Sequence, residues 1–118
     1  LSNYIAEKYI ESDGVIRGFV LDTEIEQLVS QAIRNPSEQH HLLNPKVIDR
    51  LGQNLKQLAE EATMDGHQSI VLTSPQIRSY FKRLLEANVP ELVVLSFGEL
   101  PATQPIESIG KVSLAYEN

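Results

Sequence analysis

Histidine is the side chain best suited to moving protons or holding a metal near neutral pH, and this chain has three: His40, His41 and His67. A metal site needs ligands that converge in a fixed geometry, and neighbours such as His40 and His41 seldom chelate one ion. All three are expected in solvated loops. Paired carboxylates occur at Glu24 with Glu26 and at Glu60 with Glu61. General acid and base work needs carboxylates that face each other across a pocket with separated pKa values, whereas these are close neighbours along helical patterns. Serines such as Ser30, Ser69, Ser74 and Ser96 lack a Gly-x-Ser-x-Gly elbow, and the glycines form no phosphate-cradling loop. Ser74 reads as a helix cap. No catalytic residue, no cofactor and no metal is therefore expected, and the chain is not expected to be an enzyme. What remains is a basic group, Arg78, Lys82 and Arg83, whose spacing places them on one helical face away from Ile77, Tyr80 and Phe81. Such a face can dock an acidic partner surface or a neighbouring subunit. It is the candidate protein-interaction site.

Composition sets the partners. The formal charge is −6 with a pI near 5.0, so no overall basic field exists to gather nucleic acid or anionic lipid, and partners are expected to be proteins. Hydrophobic residues make up 42% of the chain and charged ones 22%, which excludes a disordered composition. At 118 residues the chain is expected to be a single domain, 1–118. The absence of cysteine leaves no disulfide framework and fits a reducing compartment. Apolar runs such as Leu92-Val93-Val94-Leu95 are far too short to span a bilayer.

The elements that must carry the basic face are legible in the hydrophobic pattern. Residues 1–13 read as an incoming helix ended by Ser12-Asp13-Gly14, so the chain looks like a fragment entered through a cut helix. Residues 15–21 are rich in β-branched and aromatic types and predict a strand that Gly18 weakens. Asp22 is placed to cap a helix with Ile25, Leu28, Val29, Ala32 and Ile33 on one face, stopped at Asn35-Pro36. Asn44-Pro45 opens a long helix with the stripe Val47, Ile48, Leu51, Leu55, Leu58, Ala59 and Ala62, and Asp65-Gly66 ends it. A buried strand at residues 69–73 follows. Ser74-Pro75 then starts a helix with Ile77, Tyr80, Phe81, Leu84 and Leu85 inward, and a strand at residues 92–95 completes a right-handed βαβ unit. Pro101 and Pro105 frame a loop before a last strand at residues 106–114. The order is α-β-α-α-β-α-β-β, an α/β class with a small mixed three- to four-stranded sheet packed with helices.

Two stretches carry a resemblance. Leu72-Thr73-Ser74 with Ile77-Arg78 and Tyr80, and then, after Pro90, Val94-Leu95-Ser96 with Glu99-Leu100, resemble the elements "LTS-x-x-(I/V)-R-x-(Y/F)" and "VLS-x-x-E-(I/L)" of the FlhA/InvA/LcrD family of type III export-gate proteins. Ile106-Glu107-Ser108-Ile109-Gly110 is similar to that family's closing "(I/V)-x-S-(I/V/L)-G" strand, and Leu21-Asp22 with Glu26 to its "LD-P-x-(L/V)-E" junction, with Thr23 where proline is common. The resemblance implies a C-terminal cytosolic subdomain, residues 14–118, entered through residues 1–13. It implies an interaction protein on the cytoplasmic face of the bacterial inner membrane, part of a flagellar or virulence export apparatus. The implied partners are other export-apparatus proteins, export chaperones and substrates, and further copies in a ring. Membrane attachment would come only through segments outside this chain. The residues alone also fit a stand-alone α/β protein-binding or small-molecule-binding regulatory domain, which would need a pocket with converging polar groups.

Overall fold

A computed structural model of the chain describes residues 7–114. Much of the expected incoming helix, residues 1–6, lies outside them, as do residues 115–118. From Glu7 onward the leading segment turns, with the Ile10 N–H donating to the Glu7 carbonyl at 3.1 Å. The elements that follow are β1 (Ile16–Leu21), α1 (Thr23–Arg34), the short α2 (Gln39–Leu42), α3 (Pro45–Met64), β2 (Ile70–Thr73), α4 (Arg78–Leu85), β3 (Val93–Ser96) and β4 (Ile106–Val112). One-turn 3₁₀ segments at Pro36–Glu38 and Phe97–Glu99 join α1 to α2 and follow β3.

The α/β class, the four strands and the βαβ unit are as the sequence predicts. The sheet differs in one respect, being parallel in every pairing where a mixed sheet was expected: its order is β3-β2-β1-β4. The last connection decides this. Residues 97–105 do not turn back beside β3 but cross to the far side of β1, and β4 enters there in the same direction as the others. A connection of that length can reach about 30 Å when extended, enough to pass two strands, β2 and β1, across three gaps of about 4.8 Å.

The two faces of the sheet are covered differently. Phe19, Val71, Val94 and Val112 pack with Ile25 and Val29 of α1, Leu51 and Leu55 of α3, and Phe81 and Leu85 of α4 in the main core. The alternate strand residues Ile16, Ile70, Leu72 and Leu95 form a second cluster, covered by Tyr9 and Ile10 of the leading segment and by Leu100 of the returning loop. That division follows from the connections. The steps β1→β2 and β2→β3 run in one direction with their helices in one layer, and the return to β4 passes over the other face, as right-handed crossovers require.

Local chemistry fixes the ends of α3 as expected. Asn44 Oδ1 accepts the Val47 N–H at 3.1 Å, and Pro45 stands at the first helical position. At the other end the His67 N–H reaches the Ala62 carbonyl and the Gly66 N–H reaches that of Thr63, a Schellman closure, with Gly66 at φ 84°. Two other cap assignments differ. Asp22 precedes α1 without a side-chain cap bond. Helix α4 starts at Arg78, with Ile77 in the capping position, and residues 74–77 form a preceding turn in which Ser74 makes no side-chain cap bond.

The histidine reading is also corrected at one position. His40 and His41 are exposed on α2, but His67 is half-buried and its Nδ1 lies 2.7 Å from Glu11 Oε2. Glu11 belongs to a charged knot at the amino ends of the strands. The Arg17 guanidinium meets Glu11 at 2.8 Å and Asp13 at 2.7 Å, and it contacts Glu107 of β4 as well. The Arg17 hydrogen bond holds the Asp13 carboxyl below its ordinary value. Desolvation pushes the Glu11 carboxyl up, but hydrogen bonds from His67 and Arg17 outweigh it and leave Glu11 lowered. The knot therefore fastens the leading segment to β1, β4 and the α3–β2 turn.

Candidate protein-interaction site on helix α4

Helix α4 is short, and its buried stripe orients it. Ile77 just before it, with Phe81 and Leu85, is fully buried against the sheet, which fixes where every other side chain of the helix points. The three predicted site residues are not one patch. Arg78 and Lys82, one turn apart, fall on the flank nearest β3, where they line a groove of about 260 Å³ with Tyr9 and the strand residues Leu92 to Leu95. Arg83 is exposed on the outer side, its guanidinium carbon 5.9 Å from the Tyr80 ring centre, beside a separate hollow lined by Tyr80, Arg83 and Leu84.

In the groove the Lys82 ammonium donates to the Leu92 carbonyl at 2.7 Å, which uses one of its three donors. Arg78 Nε lies 3.2 Å from Glu99 Oε1, inside ion-pair range but not aligned as a hydrogen bond, and that nitrogen is buried without another partner. The same Glu99 oxygen accepts the Ser96 N–H at 2.8 Å, closing the turn after β3. The Glu99 carboxylate beside Arg78 is thus already engaged. Two cations with spare donors stand next to a strand edge in a chain of net charge −6. Such a site suits anionic groups of a partner.

Sequence reasoning missed Tyr9 and Glu99 as members of this site. The spacing from Ser96 to Glu99 carries a capping signal, but its meeting with Arg78 depends on the β2–α4–β3 unit. Elsewhere, a larger open hollow of about 590 Å³ runs along α3 by Lys56, Ala59, Glu60, Thr63, Met64 and Glu91. Its charges are mixed in sign, and Met64 on its rim is 85% exposed. A polar trough of about 430 Å³ lies between α1 and the turn before α4, by Gln27, Ser30, Gln31, Arg34 and Ser74. Among the described residues no group of three or more acidic, histidine or cysteine side chains is arranged to hold a metal ion. No helix among them is long and apolar enough to cross a membrane.

The described residues form a parallel four-stranded α/β domain with a cationic groove at its edge. The chain belongs to the FHIPEP family, whose model matches residues 1–105. It is 27% identical over 115 residues to the flagellar biosynthesis protein FlhA of Bacillus subtilis, covering 97% of this chain and 17% of that protein. It is 30% identical over 111 residues to the invasion protein InvA of Salmonella typhimurium, covering 92% of this chain and 16% of InvA. The chain thus spans about a sixth of these relatives. Among solved structures, the nonameric EscV cytosolic domain of a type III secretion system is 26% identical with a TM-score of 0.70, over 94% of this chain and 32% of that one. The Chlamydia pneumoniae CdsV and CdsO complex shares the fold, with a TM-score of 0.76 at 24% identity, over 93% of this chain and 32% of that one. Flagellar biosynthesis and invasion proteins thus both stand among the relatives, in line with the resemblance carried by residues 72–80 and 94–100.

Proposed function

We propose that this chain is a docking subdomain in the cytosolic part of a type III export gate, on the cytoplasmic face of the bacterial inner membrane. It performs no chemical step of its own. It holds other export proteins, chaperones or substrates against the gate while copies of the whole protein stand in a ring. The observation that carries this reading is the Arg78 and Lys82 groove, a local cationic site with spare donors on an acidic module. Two likenesses support it: the EscV cytosolic domain is nonameric, and CdsV has been captured in a complex with a second protein, CdsO.

The test uses the full-length gate. Exchanging Arg78 and Lys82 together for glutamate reverses the charge of the groove while the buried side of α4 stays intact. Secretion in the host and recovery of export proteins with the gate are both expected to fall. Full secretion with unchanged recovery would remove the groove from any docking role.

A further inference from the structure

The shape of the groove says more about the partner than its charge does. Its inner wall is the strand run from Leu92 to Leu95, so it extends along β3 for about 10 Å at the usual rise of a strand. An extended segment lies naturally along a strand edge of this kind. Among the described residues β3 borders only β2, which leaves its other side to the groove. The Val93 N–H donates to the Ser69 carbonyl next to β2, so the alternation of a parallel ladder turns the Leu92 carbonyl outward, and Lys82 occupies it.

The cations add a spacing rule. Arg78 and Lys82 are four residues apart on α4, a rise of about 6 Å along the helix. Side chains two apart on an extended chain are separated by about 6.6 Å on one face. We propose that the Arg78 and Lys82 groove receives an extended partner segment carrying carboxylates at alternate positions, one on each cation, and that Arg83 takes no part. This rests on the docking reading above and specifies its partner chemistry. Arg83 is excluded by position, since it stands over Tyr80 on the outer side of α4. On binding, a carboxylate takes over Lys82 and the partner's backbone N–H can take the Leu92 carbonyl that Lys82 releases.

Two fluorescein-labelled peptides of equal length and charge distinguish the idea from a diffuse electrostatic pull. Each is a serine peptide with two glutamates: in the alternating peptide one serine separates them, and in the other they are adjacent, so that on an extended chain they point to opposite faces. Fluorescence anisotropy with the 118-residue chain at low salt should show the alternating peptide bound about tenfold more tightly, as expected when one well-formed charged contact separates the two. Lys82→Gln or Arg78→Gln should abolish that preference, and Arg83→Gln should leave it. The uncharged substitutions keep helix-forming side chains, and circular dichroism checks each variant. Equal binding of the two peptides, no binding of either, or a loss with Arg83→Gln as large as with Lys82→Gln would overturn the proposal. So would concentration-dependent self-association abolished by Lys82→Gln without peptide binding, which would give the groove to a second copy. If the peptides fail while the double glutamate variant still stops secretion in the full-length gate, the docking reading survives and the extended acidic partner does not.

Discussion

Replacing Gly18 by alanine sets two physical arguments against each other. By propensity alone, glycine inside a strand is unfavourable, and alanine should stabilise by about 0.5–1 kcal/mol. The tertiary structure reverses the sign. A Cβ built at Gly18 would stand 2.9 Å from the Ile70 carbonyl oxygen and 3.3 Å from both Leu72 Cγ and Leu72 Cδ1. The Ile70 oxygen belongs to the backbone of β2, which is paired on both sides by β1 and β3, so it cannot swing aside as a side-chain tip can. Forcing an extra carbon into such a site costs about 1–3 kcal/mol. Urea unfolding followed by circular dichroism reads the outcome. With a slope of about 2 kcal/mol per molar, a loss of about 2 kcal/mol lowers the midpoint by about 1 M. Gly110→Ala is the control, because its new Cβ would meet only side-chain atoms, Leu58 Cδ2 at 3.0 Å and Phe19 Cδ1 at 3.1 Å, and no backbone oxygen. The Gly18 variant should lose clearly more than the Gly110 variant. A Gly18→Ala midpoint equal to or above that of the parent chain would refute the close-approach argument and leave propensity in command.

Phe81→Ala should cost about 3–5 kcal/mol, since the ring is fully buried between α4 and the sheet; calorimetry or urea unfolding measures it, and a loss below about 1 kcal/mol would contradict the packing. Asn44→Ala should cost about 1 kcal/mol through its lost bond to the Val47 N–H, while Asp22→Ala and Ser74→Ala, whose side chains make no cap bond, should stay within about 0.5 kcal/mol by the same assay. The Arg17 knot predicts an acid-sensitive contribution. Glu11 and Asp13 are held below their ordinary values of 4.5 and 3.8, so their contribution is complete above those values and is lost as pH falls through the lower folded values. Unfolding midpoints at about pH 6 and about pH 3 should therefore differ less in Arg17→Met than in the parent chain, and equal acid losses would show the knot to be thermodynamically silent.

Periodicity exposed the helices that bury a wide apolar stripe. Val47 through Ala62 marked α3, and Asn44-Pro45 with Asp65-Gly66 marked its ends, because these signals act within a few residues. The same local rules misplaced the start of α4. Ser74-Pro75 has the composition of a cap and first turn, yet the chain leaves β2 in a turn and becomes helical only at Arg78, where Ile77 and Phe81 can both reach the core. His67 was misread for a similar reason: its partner Glu11 lies 56 residues away.

Sequence by itself determined the α/β class, the strand–helix–strand unit carrying α4, the acidic balance that points to protein partners, and the motifs resembling an export gate. Each is a property of composition or of residues within a turn or two of one another. Only the tertiary structure decided that the sheet is parallel throughout, because strand direction depends on where the residues 97–105 connection lands. It also separated Arg83 from Arg78 and Lys82, because the rotation of α4 about its axis is set by the burial of Ile77, Phe81 and Leu85 against a sheet built from distant residues. And it brought Arg78 of one motif to within 3.2 Å of Glu99 of the other, a meeting that exists only after β2 and β3 pair side by side.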